Sequence, residues 1–317
     1  MSNLRFSIVA LVAGGLLAAC ANPSPSSFTP GSARALQAPS RGVEQAKTRG
    51  GRVLYIGNID GSPGVGQVLV YTAGMKNPQL LRTISNGTGR PIGLWVDSKN
   101  NLWVANETDK YPASVTAFKP GASSPFFTIT NVYGQPGSVA VDNKGDVFVN
   151  ENQQDEGYVQ EFAPGSTTAE YTIDTGVSGY AFDPGSMAFD PQGNLYVAEE
   201  AKLQLQIVKL APGSQQFTPV NLDLKNIDGP GMGIDKAGNI YVGNANGATV
   251  SVYPPGQSEP SRVISSVGAY GLTWVTPKGA VYQANGESSV IEIVPGSNTP
   301  TYTLNCSCQT LGSAVSN

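Results

Sequence analysis

Six oxygen-bearing side chains recur along this 317-residue chain at nearly even intervals: Asn58, Asn106, Glu151, Glu199, Asn244 and Asn285, spaced 48, 45, 48, 45 and 41 residues apart. Carboxylate and amide oxygens are hard donors. Gathered into a ring they suit Ca²⁺ or another divalent cation, and they suit hydrogen bonds to a sugar or a peptide equally well. If an ion is held, Glu151, Glu199 and Asn244 are its expected ligands. Further acids at Glu107, Asp155, Glu156, Asp183, Glu200 and Asp228 would make the surroundings more negative. The plainer use of such residues is to cap strand ends and satisfy loop amides.

Composition excludes other chemistry. The chain has no His, which removes Ser–His and Cys–His nucleophile pairs, two-His zinc sites and imidazole acid–base catalysis. No catalytic constellation stands out. The formal charge is −4 with no basic run, so nucleic acid, which needs clustered Lys and Arg, is not an expected partner. Cys306 and Cys308 form a C-x-C pair suited to a local or an intermolecular disulfide.

The elements that position the six residues are repeated too. Four units open alike, as GLWVDSKNNLWVAN (93–106), SVAVDNKGDVFVNE (138–151), SMAFDPQGNLYVAE (186–199) and GMGIDKAGNIYVGN (231–244). A fifth, TWVTPKGAVYQAN (273–285), carries Thr276 where the others carry Asp, and RVLYIGN (52–58) is a leading half-copy. Each unit reads as four strands. A turn begins at Asp97, Asp142, Asp190 or Asp235, whose side chain can cap its own backbone. The second strand follows and ends at the recurring Asn or Glu. The third and fourth meet at KPGAS, APGST, APGSQ, PPGQS or VPGSN, where Pro-Gly suits a type II turn. Aromatics on the second strands (Tyr55, Trp103, Phe148, Tyr196, Tyr241, Tyr282) should pack between neighbouring units.

A period of 40 to 50 residues with strands and no helical pattern predicts an all-β, six-bladed β-propeller over residues 51–317, with four-stranded blades. The first unit lacks its first strand, and LGSAVSN (311–317) resembles the opening of the unit at 136–143. Residues 311–316 are therefore expected to supply the innermost strand of blade one and close the ring. Both turn types share one face of such a ring. The longer connections, including DTGVSGYAFDP (174–184), share the other, and a binding site is expected there.

The V-D-x-x-G-N-L-Y-V-A core resembles the NHL repeat, and the wider similarity is to six-bladed propellers that include the gluconolactonases. Resemblance to the latter implies a metal-dependent hydrolase with a divalent ion in the channel, held by a Glu near the first inner strand and by Asn and Asp of other blades. The inferred strand Gly312–Ser316 carries no acid and departs from that pattern. The RNA-binding use of NHL propellers relies on a basic face and related lyases rely on His; both are missing.

Residues 1–20, MSNLRFSIVALVAGGLLAAC, place Arg5 before an apolar run that ends in small residues, as a signal peptide does. Leu17-Ala18-Ala19-Cys20 resembles the bacterial lipobox, with residues 1–19 removed and Cys20 lipidated. Residues 20–50 read as a lipidated Cys and a Pro/Ser-rich tether. The mature chain would carry 18 basic and 23 acidic residues, or −5. These features predict a monomeric module anchored outside the cytoplasm in the bacterial cell envelope, with the outer membrane or cell surface favoured. It would bind an envelope protein, peptide or carbohydrate, or act as a scaffold.

Overall fold

The computed structural model describes residues 51–59, 66–107, 113–153, 156–178, 185–201, 204–229, 231–265, 268, 271–286, 288–306 and 308–316. Cys20, the tether, Asp155 and Asp183 lie outside them, as does part of the 174–184 connection. Among the described residues no helix is long and apolar enough to cross a membrane.

Six antiparallel sheets of four strands follow one another along the chain. The first strands of blades two to six are Arg90–Val96, Gln135–Val141, Met187–Phe189, Met232–Ile234 and Thr273–Val275, and blade one takes Ser313–Val315 as its own. These six strands pack side by side in a closed circle. The expected closure is present: Leu54, Tyr55 and Ile56 pair with Val315, Ala314 and Ser313. The Ser316 amide also bonds the Val53 carbonyl, and the Gly57 amide bonds the Gly312 carbonyl.

Each sheet is covered on both faces by its neighbours, so second strands are apolar in both phases of their alternation. In blade two, Leu102 and Val104 join Tyr55, Val68 and Val70 of blade one, while Trp103 and Ala105 join Val139 and Val141 of blade three. The second-strand aromatics pack between blades as expected, and two of them do more. The Trp103 indole N–H donates to Asp97 Oδ2 at 3.0 Å, and the Tyr241 hydroxyl donates to Asp235 Oδ2 at 3.1 Å. Each braces the turn that precedes its strand.

The turns follow their residues. Asp97 Oδ1 accepts the amides of Lys99 and Asn101 at 2.9 and 2.8 Å, and Asp190 and Asp235 do the same in their blades. At the Pro-Gly turns every Gly has positive φ, as at Gly121 (81°) and Gly296 (82°), which the third position of a type II turn requires. Thr276, the exception among the turn residues, keeps one of these bonds by accepting the Ala280 amide at 3.0 Å.

Candidate functional site

The six recurring residues all stand at the loop end of the ring, one per blade, and each is tied to its own surroundings. Asn58 Oδ1 accepts the Gln309 amide at 3.1 Å and so holds the segment that leads into the closing strand. Asn106, fully buried, accepts the Gly89 amide and donates to Thr116 Oγ1, both at 3.0 Å. Asn244 Oδ1 accepts the Gly247 amide at 3.1 Å, and Asn285 Oδ1 accepts the Ser289 amide at 3.1 Å. These amide side chains cap loops.

The two carboxyls are buried as well. Glu151 accepts the Gly134 amide at 2.7 Å, and loss of solvent pushes its carboxyl up to about 8 against two backbone hydrogen bonds that pull it down. Burial likewise pushes Glu199 up to about 7. Glu199 lies against Gly157 of the neighbouring blade, where a Cβ would overlap its carboxyl oxygens. Thr175 Oγ1 sits 2.7 Å from Glu199 Oε2 and 3.0 Å from the Gly157 carbonyl oxygen. One hydroxyl proton cannot serve both acceptors. A neutral Glu199 that donates to Thr175, with Thr175 donating to Gly157, satisfies the whole chain of bonds, in keeping with the raised pKa.

The donors that the gluconolactonase resemblance implies for a divalent ion stand apart on separate blades, and Glu151 keeps one buried oxygen, Oε1, without a partner. Glu151, Glu199 and Asn244 bond different loops on three different blades, and among the described residues no three carboxylates or thiols lie close enough to share a cation. Of the flanking acids, Glu107 is paired with Arg90 and Glu156 accepts from Tyr158. Cys306 and Cys308 are joined in a disulfide within the closing segment.

The concavity lies at the opposite end. A cavity of about 530 Å³ opens among the Asp-turns and runs up the channel as far as Met187, Met232 and Thr273. None of the six recurring residues lines it. Toward the loop end neighbouring inner strands approach one another closely. A Cβ on Gly312 would overlap the Ile92 carbonyl oxygen, one on Gly93 would lie 2.5 Å from the Gly137 carbonyl oxygen, and the Leu272 amide bonds the Leu311 carbonyl at 2.6 Å.

Its walls come from a position that the repeat varies in size. Two residues before the turn Asp, or its equivalent, stand Trp95, Ala140, Ala188, Gly233, Trp274 and Ala314. Trp95, Ala188, Gly233 and Trp274 line the cavity. Small residues leave the space, and the two tryptophans form one wall of it. Trp95 packs edge to face on Trp274, centroids 5.0 Å apart, and on Phe189 at 6.1 Å. Both indole nitrogens are buried and have no hydrogen-bond partner.

Polar groups gather at the mouth. Ser98, Asn143, Lys144, Gln192 and Lys236 are exposed on the turns. The carboxylates of Asp190 and Asp235 line the cavity too, but both oxygens of each are taken up within their own turns. Asp142 commits one oxygen to three amides. The arrangement offers a largely apolar recess with mixed polarity at the rim, which is the usual make-up of a small-molecule site. The longer loops of the other face lie partly outside the described residues. The sequence signal for the turn-face cavity is the Trp-or-small variation on the inner strands.

The sequence matches no protein-family model and no curated protein. Solved structures match over nearly the whole of their own chains. A chain of a nidogen–laminin complex is 18% identical with a TM-score of 0.65, over 84% of this chain and 99% of that one. A Bacteroides fragilis protein assigned as a 6-phosphogluconolactonase is 12% identical with a TM-score of 0.58, over 86% and 99%. A Lactobacillus plantarum protein is 11% identical with a TM-score of 0.59, over 84% and 100%. At these identities the likeness is one of fold, which hosts binding and catalysis alike.

Proposed function

We propose that this propeller is a binding module, carried outside the cytoplasm on a lipid attached to Cys20, and that the turn-face cavity is its ligand site. The observation that carries the reading is the recess itself: about 530 Å³ walled by Trp95, Trp274 and Phe189, with exposed polar side chains on the turns at its mouth. Apolar walls with a few polar groups at the rim are the usual make-up of a small-molecule site. The lipobox-like Leu17-Ala18-Ala19-Cys20 supports the anchor, and the NHL-like repeat supports a scaffold on which binding is the commoner use. The nidogen–laminin and 6-phosphogluconolactonase neighbours are consistent with either docking or small-ligand chemistry on this fold.

Two measurements test the reading. Full-length protein should partition with membranes, and Cys20→Ser should release it to the soluble extracytoplasmic fraction. Protein isolated from envelopes should carry a small molecule in native mass spectrometry, and Gln192→Trp, which narrows the mouth from an exposed turn position, should lose it. Wild-type protein that retains no small molecule under these conditions overturns the assignment of the cavity.

A further inference from the structure

The two ends of the ring differ in charge. Acids stand at the loop end: Glu156 and Asp174 on blade three, Glu200 on blade four, and Asp228, whose amide bonds Asn244. On the inner turns at the other end the exposed charged side chains, among the described residues, are lysines: Lys99, Lys144, Lys236 and Lys278, on blades two, three, five and six. Lys144 and Lys236 line the mouth of the cavity. The carboxylates of these turns are buried or half-buried and accept the amides of their own turns, so an approaching surface meets the ammonium groups first. Further acids of this end lie outside the inner turns. Asp146, Glu161 and Glu170 crowd together on blade three, and Glu259 follows the Pro-Gly turn of blade five.

The chain also enters the ring at the turn end. The Val53–Asn58 strand runs from there to Asn58 at the loop end, so Gly51 and Arg52 stand beside the turns, where the Arg52 carbonyl accepts the Ala73 amide. Lysines on exposed turns are attracted to the anionic headgroups of a bilayer within a Debye length, about 8 Å at physiological salt. The same surface repels the acidic loop end. The segment from Cys20 to Gly51 spans about 100 Å at most when fully extended, so an anchor alone leaves the ring free to present either end. We infer that charge makes the choice: the turn face docks on an anionic lipid surface through Lys99, Lys144, Lys236 and Lys278, and the recess opens toward that surface. This rests on the lipid anchor proposed above and adds which face lies against the membrane.

Amine labelling of the full-length lipidated protein tests it. The protein is reconstituted on phosphatidylcholine vesicles with or without phosphatidylglycerol, treated briefly with a water-soluble acylating reagent, and read lysine by lysine by mass spectrometry. Lys225, its side chain 87% exposed, is the internal reference, because the carbonyl of its neighbour Asn226 bonds Asn244 at the loop end. With phosphatidylglycerol present, labelling of Lys99, Lys236 and Lys278 should fall about threefold or more relative to Lys225. Lys144, with Asp146 beside it, should show the smallest fall. High salt, or phosphatidylcholine alone, should remove the difference. A Lys99→Gln/Lys144→Gln/Lys236→Gln variant, changed only at exposed turn positions, should still float with the vesicles and label Lys278 as freely as Lys225. Wild-type protein that floats while all four lysines label as freely as Lys225, or is protected equally on both kinds of vesicle, overturns the docking face and leaves the anchor standing. Unchanged protection of Lys278 in the variant does the same. Protein that floats with neither kind of vesicle overturns both.

Discussion

At the loop end of the ring, polar side chains are tied to their own surroundings: Asn106 by Gly89 and Thr116, Glu199 by Thr175, and Glu151 by Gly134 through one oxygen, its Oε1 being buried without a partner. At the turn end Asp190 and Asp235 commit both oxygens within their turns, Asp142 commits one, and the indole nitrogens of Trp95 and Trp274 are buried without a partner. The ends also differ in space. Backbones meet at the loop end, where Gly312 faces Ile92 and Gly93 faces Gly137, whereas Ala188 and Gly233 open a recess at the turn end. The loops vary because each blade solves its own capping problem, and the recess sits where the repeat is uniform except for side-chain size.

The sharpest way to break this contrast is to attack the loop end where blades touch. Removal of residues 313–317 exposes the inner edge of blade one and should abolish cooperative thermal unfolding followed by circular dichroism. A truncated chain that melts as sharply and as high as the intact one would refute the closed ring. Gly312→Val places side-chain atoms on the Ile92 carbonyl and should cost about 2–3 kcal/mol in denaturant unfolding, as overpacked sites do.

The buried carboxyls give the next largest effect, and its sign is opposite to that of an ion-paired acid. Their folded pKa values, about 8 for Glu151 and about 7 for Glu199, lie above the ordinary value of 4.5. Between 4.5 and 8 the folded chain binds more protons than the unfolded one, so stability is fullest below about 4.5 from this source, falls as pH rises, and levels off above 8. The loss should be on the order of a few kcal/mol, since each tenfold difference in proton affinity between folded and unfolded chain is worth about 1.4 kcal/mol. Glu151→Gln and Glu199→Gln should flatten the profile and be more stable than wild type at pH 9. A wild-type profile that rises from pH 5 to 9, with no difference in the variants, would show these carboxyls to be hydrated.

Smaller effects probe the turn end. Trp103→Phe leaves Asp97 Oδ2 without its indole donor and should cost about 1.5 kcal/mol, as bonds to charged groups do. Tyr241→Phe should cost a similar amount at Asp235. Reduction of Cys306–Cys308 opens a loop of only three residues, so stability should fall by no more than about 1.5 kcal/mol.

Much of this was legible in the residues. The D-x-x-[GN]-[ND] and Pro-Gly turns fix the strand order, and LGSAVSN declares itself as an inner strand by its likeness to the units that precede it. Burial of the recurring Asn and Glu was also readable, because Glu151 shares its strand phase with Val147 and Val149, and Glu199 with Leu195 and Val197. That phase points into a blade interface and away from the channel. What local pattern did not carry was the third dimension of the channel. Whether Trp95 meets Trp274 depends on two blades separated by blade one, and no spacing along the chain encodes that distance. The carboxyl-by-carboxyl bonding of the loops was hidden for the same reason, since Glu199 meets Gly157 only across a blade boundary.

The seam in blade one has a consequence for the order of assembly. Blades two to six are each built from consecutive strands, so they can form as local meanders, but the Val53–Ser316 hydrogen bond spans 263 residues. Closing so long a loop comes late, after the entropy of ordering the intervening blades has been met. Until then the molecule is an arc, with the inner edge of the Val53–Asn58 strand and one face of the sixth blade uncovered, and a bare strand edge is a template for joining a second copy. Whatever holds the two ends of the chain near each other during this interval sets the balance between a finished ring and a swapped or aggregated one.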